Sequence, residues 1–277
     1  MAMRHWMMGL VGLCLTLPAA AQTTVAGIAT TAPAPAAAVR PEAGLTVPAL
    51  QPGWSFALTP YAWLPGVSGG ITTPYQRVQP HFDMGSGKVL GDLSSAPIML
   101  TAEARYDRFT LLGDIVYAGV RPPLQTRGIV FDGGHALLLN TTLEMLGLYR
   151  VYAAPRMAFE VGGGMRYWDV STKISLDPGL APGYINKTTM SWIEPVIAAR
   201  YTAAFSPRAG VTLYGDLGGF GAGSRLSWQG IGSIDYAFAD WAVGKVGWRS
   251  LGFEKSRNGI DLNTGFNGPF MAVSFRF

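Results

Sequence analysis

Met271-Ala-Val-Ser-Phe-Arg-Phe277 closes the chain and decides the reading of its fold. Met271, Val273, Phe275 and Phe277 share one face of an extended segment, and Ala272, Ser274 and Arg276 share the other. Side chains alternate across a strand with a period of two, so this stretch has one apolar and one polar face. A strand of that kind suits a transmembrane β-barrel, whose outer face meets lipid while its inner face meets a polar lumen. An amphipathic edge strand of a soluble domain has the same local pattern, so the rest of the chain must decide.

The same alternation recurs upstream. In 134–152, Leu137, Leu139, Leu143, Met145, Tyr149 and Val151 alternate with Asn140, Thr142, Glu144 and Arg150. In 156–174, Phe159, Val161, Met165 and Tyr167 alternate with Glu160, Gly162, Gly164 and Arg166. Strands 188–205, 225–239 and 241–255 repeat it, with Glu194 and Arg200, Asp235, and Lys245 and Arg249 on their polar faces. The spacing predicts ten strands, over about 54–65, 96–106, 108–120, 134–152, 156–174, 188–205, 209–221, 225–239, 241–255 and 260–277. Eight or twelve remain open, because 66–95 has room for an extra hairpin. Trp54, Tyr106, Phe109, Tyr152, Phe205, Trp241 and Phe277 fall near strand ends, where aromatic girdles sit.

Connection lengths support the same fold class, an all-β antiparallel up-and-down barrel. Tyr106-Asp107-Arg108, Ala153–Arg156, Ser206–Ala209 and Ala239-Asp240-Trp241 are tight, whereas 66–95, 121–133 and 175–187 are long. Membrane barrels pair short periplasmic turns with longer outer loops. Counting from Trp54 puts the tight turns and both ends of the domain on the periplasmic side.

The beginning of the chain sets the expected compartment. Arg4 and His5 precede an apolar run from Met7 to Leu17, and Pro18-Ala-Ala-Ala21 closes it. This reads as a cleavable export signal, residues 1–21, too short to span a bilayer as a helix. Cys14, the single cysteine, would leave with it; Leu13 before it does not fit a lipidation site. The exported chain then has no disulfide and no thiolate chemistry. Residues 22–52 are rich in Ala, Pro and Thr and read as a flexible periplasmic leader, with the barrel over 53–277. The chain is 49% apolar and only 14% charged, against about 25% in soluble domains. The net charge of +4 is scattered, which excludes the basic stripe of a nucleic-acid binder.

The parity that sends apolar residues to lipid sends charges inward. Glu103, Asp114, Glu144, Glu160, Glu194, Asp216 and Asp235 face the lumen with Arg105, Arg150, Arg166, Arg200, Lys245, Arg249 and Arg276. Acids and bases balance. A barrel of about eight strands is just filled by side chains, and sixteen or more leave an aqueous channel. Ten strands with balanced charges therefore predict a lumen filled by Arg–carboxylate pairs, with a narrow polar pore as the alternative.

Catalytic patterns are sparse. The only histidines after the export signal are His81, near Asp83, and His135, near Asp132; neither sits with a nucleophile in sequence. Gly218-Gly-Phe-Gly-Ala-Gly223 imitates a nucleotide loop, but it ends a strand and no helix follows. Asn186-Lys-Thr188 is a glycosylation sequon by pattern only. No His or carboxylate cluster has metal-ligand spacing. We expect no cofactor, no metal and no catalytic residue.

Several segments carry a resemblance. Pro60-Tyr-Ala-Trp63 with Gly66, Asp114-Ile-Val-Tyr117, Gly218–Ser224 before Trp228-Gln229, Gly247-Trp-Arg249, Gly268-Pro269 and Phe275-Arg-Phe277 together resemble a family of proteobacterial outer-membrane β-barrels known as hypothetical or porin-like proteins. The resemblance covers most of 54–277. The closing strand, through Met271, Val273, Phe275 and Phe277, resembles the assembly signal of Gram-negative outer-membrane barrels. It implies an outer-membrane location, outer-membrane lipid as surroundings, and barrel-assembly machinery and periplasmic chaperones as partners during biogenesis. It transfers no catalytic residue. Lys88–Leu93 resembles a loop segment near the start of such domains and is expected to form a short turn or helix at the outer mouth. The expected role is structural or that of a narrow pore. The alternatives are a lipid- or peptide-modifying enzyme at the outer rim, or an adhesin or receptor using the outer loops.

Overall fold

The computed structural model describes residues 46–72, 81–93, 97–121, 123–124, 131–179, 182–257 and 260–277. The export signal and most of the leader lie outside them. Thirteen strands and one helix are present among the described residues: β1 (Trp54–Trp63), β2 (Gly66–Thr72), β3 (His81–Met84), α1 (Ser86–Gly91), β4 (Ile98–Tyr106), β5 (Phe109–Val120), β6 (Pro123–Leu124), β7 (Phe131–Ala154), β8 (Met157–Pro178), β9 (Tyr184–Ala204), β10 (Ala209–Gly218), β11 (Leu226–Ala239), β12 (Ala242–Arg257) and β13 (Ile260–Arg276).

Ten of these form a closed wall. Each neighbour in the order β1, β4, β5, β7, β8, β9, β10, β11, β12, β13 pairs antiparallel with the next, and β13 returns to β1. The backbone of Phe277 completes the closure, giving and receiving hydrogen bonds with Phe56 (2.9 and 3.1 Å). The other three strands continue wall strands. β2 keeps the register of β1 against β13, with Trp63 opposite Phe270 and Gly66 opposite Asn267. β6 likewise continues β5 against β7. The wall therefore has ten strands, and the hairpin suspected in 66–95 exists as β2–β3, built on top of β1.

The register fixes the barrel's size. Following paired residues from Ala57 through Glu103, Leu112, Leu146, Gly164, Val196, Gly218, Ser227, Phe253 and Thr264 returns to the first strand at Gly69, 12 positions beyond residue 57. Ten strands with that stagger tilt by about 40° and enclose a backbone cylinder of roughly 10 Å radius. Such a bore takes one or two large side chains across.

The outer surface is apolar where a soluble protein would be polar. Met145, Met165, Ile193, Ile197, Ile234, Val246 and Met271 are exposed, most by around 60%. Aromatic side chains ring the turn end, with Trp54 against Tyr106, Phe109 against Tyr149 and Trp241 stacked on Phe275. No helix among the described residues is long and apolar enough to cross a membrane, so any crossing is made by strands. Met271, Val273, Phe275 and Phe277 lie on this outer face, as their parity requires.

Three strands run longer than periodicity indicates. β7, β8 and β9 have 24, 22 and 21 residues, and the pairing of β8 with β9 persists to Leu176 opposite Tyr184. The stretch 175–187, read as loop, is largely strand. Its alternation lacks apolar contrast, but Thr, Ile and Tyr still favour a pleated backbone. At the opposite side α1 occupies the segment expected to be a turn or helix, and its Val89 packs with Val67, Met84 and Leu93.

Candidate functional site

All fourteen lumen charges lie on inward-facing strand positions, and they sort by height into two groups. Tyr61, Thr101, Asp114, Glu144, Arg166, Glu194, Asp216, Gln229 and Arg249 form the upper one, and each comes from a different wall strand. Arg166, fully buried, donates Nε to Glu144 (2.7 Å) and an Nη to Asp216 (2.7 Å). Gln229 donates to Asp216 (3.1 Å) and accepts Nε of Arg249 (3.0 Å). Arg249 reaches Asp114 (2.9 Å) and the Tyr61 hydroxyl, and Tyr61 and Thr101 both donate to Asp114 (2.9 and 2.8 Å). Tyr214 donates to Glu144 (2.8 Å). Ser227 joins Arg166 to Glu194, which also accepts both indole N–H groups of Trp168 and Trp192 (2.8 and 3.0 Å) and the Ser224 hydroxyl. One connected plate thus touches every wall strand except β13.

Two residues further toward the loop end on β1, β4, β5, β8, β9 and β12, the lumen turns apolar. Trp63, Met99, Val116, Trp168, Trp192, Leu251 and Phe253 are all buried and in mutual contact. Trp168 stacks on Trp192 (5.7 Å) and meets Phe253 at 4.9 Å. Arg166 and Arg249 lie under this layer, with guanidinium carbons 5.9 Å from Trp168 and 5.0 Å from Trp63. The connection 219–225 folds over it. Gly219, Gly221 and Gly223 hold positive φ there, and Ser224 reaches down to Glu194.

The lower group sits near the tight turns. Glu160 receives Arg150 (3.0 Å), Arg105 (3.1 Å) and Arg200 (2.6 Å), and Glu103 receives Arg200 (2.8 Å) and Arg105. Across the lumen Asp235 accepts Lys245 (2.7 Å), Thr212 and Ser233 (2.6 Å). Arg276 lies in the field of Arg105, Glu103 and Asp235. This end holds three carboxylates and five basic groups. The upper plate holds four carboxylates and two arginines. The overall balance seen in the sequence hides a segregation along the barrel axis.

Between the groups, Leu112, Leu146, Leu148, Val196 and Ala198 fill one side of the lumen. Gly162 and Gly164 are bare there because a Cβ on either would run into the carbonyl of Gly147 or Met145 on β7. On the other side a chamber of about 600 Å³ remains, walled by Ala57, Thr59, Ile231, Phe270 and Ala272 and reaching the rim at Asp240 and Trp241. Residues 46–51 lie across its mouth. Thr46 and Val47 are buried, Arg150 donates to the Pro48 carbonyl (2.7 Å) and Arg276 to that of Thr46 (3.2 Å). The end of the segment read as a leader is therefore seated in the barrel.

Sequence parity named the charges alone; Tyr61, Gln229, Tyr214 and the two indoles, which complete their hydrogen-bond shells, were not among the residues it singled out. Those residues share the inward parity, but alternation gives face and not height, so their convergence needs the stagger of the barrel. The side chains of His81 and His135 lie outside the described residues; their backbones belong to β3 and β7. No cluster of metal-ligating residues occurs among the described residues.

The sequence matches no family model and no curated protein. Among solved structures, 84% of the chain aligns with all of the outer membrane protease OmpT from Escherichia coli, at 9% identity and TM-score 0.46. The translocator domain of the autotransporter NalP from Neisseria meningitidis aligns over 81% of this chain and 89% of its own, at 15% identity and TM-score 0.46. Ail, the attachment invasion locus protein of Yersinia pestis, is covered completely by 82% of this chain, at 8% identity and TM-score 0.32. Barrels of this kind serve many roles, and such likeness carries none of them over.

Proposed function

We propose that this chain is an integral outer-membrane β-barrel whose lumen is sealed, serving as a fixed membrane element rather than as an open pore or an enzyme. The exposed apolar band and the aromatic ring at the turn end support the membrane setting. The alternation of tight turns and extended loop-end strands supports an orientation with the turns in the periplasm. One observation carries the sealed reading: the plate running from Tyr61 through Arg249, Gln229, Asp216 and Arg166 to Glu194 crosses the bore, with the Trp168–Trp192–Phe253 layer on top. Charged groups in a membrane interior are stable only when paired or hydrated, and these are paired. In this reading the lumen carboxylates are structural, since each accepts hydrogen bonds that hold its neighbours in place.

The test is single-channel recording of the refolded chain, without its first 21 residues, in a planar bilayer. A folded, inserted and electrically silent protein is the expected result. Discrete, reproducible conductance steps would overturn the sealed reading and turn the charge rings into a selectivity lining. A second reading, a surface receptor, is favoured only by the long β7–β8–β9 projection at the loop end.

A further inference from the structure

The segment before β1 enters the turn-end mouth and touches both sides of it. Thr46 and Val47 are buried, whereas Ala49, Leu50 and Gln51 are exposed. Val47 packs with Ala158 on β8 and Ala204 on β9. Thr46 lies against Gly210 on β10, so closely that a Cβ on Gly210 would stand 2.3 Å from the threonine hydroxyl oxygen. The Thr46 carbonyl accepts from Arg276 on β13 (3.2 Å), and the Pro48 carbonyl accepts from Arg150 on β7 (2.7 Å). In the closed wall β13 and β8 are five strands apart by either route. The segment therefore spans the mouth rather than following its rim.

These anchors seat the segment without building it into the wall. Residues 46–51 belong to no strand or helix, so no ladder of backbone bonds fixes them. Pro48 has no N–H to give. Thr46 Oγ1 is buried with no hydrogen-bond partner among the described residues, a cost that opposes docking. Gly53 joins the segment to β1 at φ +105°, with open space where a Cβ would stand. A glycine in that conformation, free of neighbours, is a suitable hinge. Directly behind the segment lies the chamber of about 600 Å³. Thr46, Val47, Pro48 and Gln51 line its mouth, and Ala272 lines it deeper in.

We propose that residues 46–51 are a releasable strap, hinged at Gly53, that closes the turn-end mouth of the barrel and controls entry to the chamber. Seated, it keeps solutes out; lifted, it opens the chamber to the turn end while the plate stays in place. Control of entry rests on the sealed reading, because the chamber must have no route from the loop end. The seating of the strap does not rest on it.

The experiment measures the rate at which N-ethylmaleimide labels single cysteines in the refolded chain, in a non-ionic detergent. Without its first 21 residues the chain has no cysteine of its own. Heat-modifiable migration on a gel checks that each protein is folded. Val47→Cys should react about tenfold more slowly than Leu50→Cys, since labelling must wait for local opening. Ala272→Cys, inside the chamber, should also react slowly. Its rate should rise by about tenfold when the strap is released, since entry then no longer waits for opening. Val47→Lys releases it by burying a charge in the apolar seat, and Ala158→Leu by filling that seat from the wall. The two act from opposite sides of one contact, so either alone suffices if the other does not fold. Equal labelling at positions 47 and 50 would overturn the proposal by showing an unseated strap, and that comparison needs no release variant. An unchanged rate for Ala272→Cys in the folded release variants would overturn it by showing that the strap controls no entry. Conductance steps in a planar bilayer, with Val47→Cys still protected, would mark failure of the sealed reading instead.

Discussion

Arg166 has the most demanding position of any side chain in the barrel. Its guanidinium is wholly buried and meets Glu144 on the adjacent strand β7 and Asp216 on β10, with Glu194 at 4.0 Å. Removing it strands two buried carboxylates, which typically costs about 3–5 kcal/mol. We expect Arg166→Met to lower the urea midpoint of unfolding from lipid vesicles by that order, followed by tryptophan fluorescence. Arg166→Lys should recover less than half, since an ammonium cannot serve two carboxylates as a planar fork does. Arg225, exposed and 3.4 Å from Glu254, is the internal contrast: Arg225→Ala should shift stability by about 1 kcal/mol or less. Equal losses at Arg166 and Arg225 would refute the ranking. Parity sufficed to place Arg166 inside, but not to choose its partners. Glu144 and Glu194 face it on β7 and β9, whereas Asp216 arrives from two strands away. Such pairings depend on stagger, which no single strand encodes.

The strands themselves were legible where they cross apolar surroundings and blurred where they leave them. β10 through β13 fall close to their expected limits because each is bounded by a tight turn or glycine. β7, β8 and β9 overrun theirs because polar residues past the expected limits, such as Ser175 and Lys187, carry no inside–outside contrast while pairing continues. The hairpin β2–β3 was legible as a possibility but not as an extension of β1, since continuity across Leu64-Pro65 is a property of β13's register. The outward parity of β7 makes a direct test. Met145 is exposed by 62% at mid-strand, while Leu146 beside it is buried in the lumen. Met145→Arg should destabilise the folded barrel in bilayers by about 2–4 kcal/mol, as at a membrane midplane. In detergent solution, where the outer face is less dry, the loss should shrink. An effect under about 0.5 kcal/mol in bilayers would place this face in water.

At the scale of the whole molecule, the proposed seal combines two layers of different kinds in one narrow bore. Ten strands with a stagger of twelve make a narrow cylinder, into which the plate and the aromatic layer each project from most of the wall. They differ in how they exclude ions. The aromatic layer excludes water, so an ion there loses its hydration; the plate occupies the bore with bonded polar atoms. In the sealed reading proposed above, either is a sufficient barrier, because an ion must pass both in series. Trp168→Ala with Phe253→Ala opens space above an intact plate. Gln229→Ala with Arg249→Ala cuts the plate between Asp216 and Asp114 beneath an intact aromatic layer. Each pair of substitutions alone should therefore leave the refolded protein silent in a planar bilayer. The four together should produce discrete steps, because the chamber under the plate then connects with the loop end. Steps from either pair alone would show that a single barrier carries the seal. A folded but silent quadruple variant would show that the remaining side chains, Arg166 and Trp192 foremost, close the bore without them.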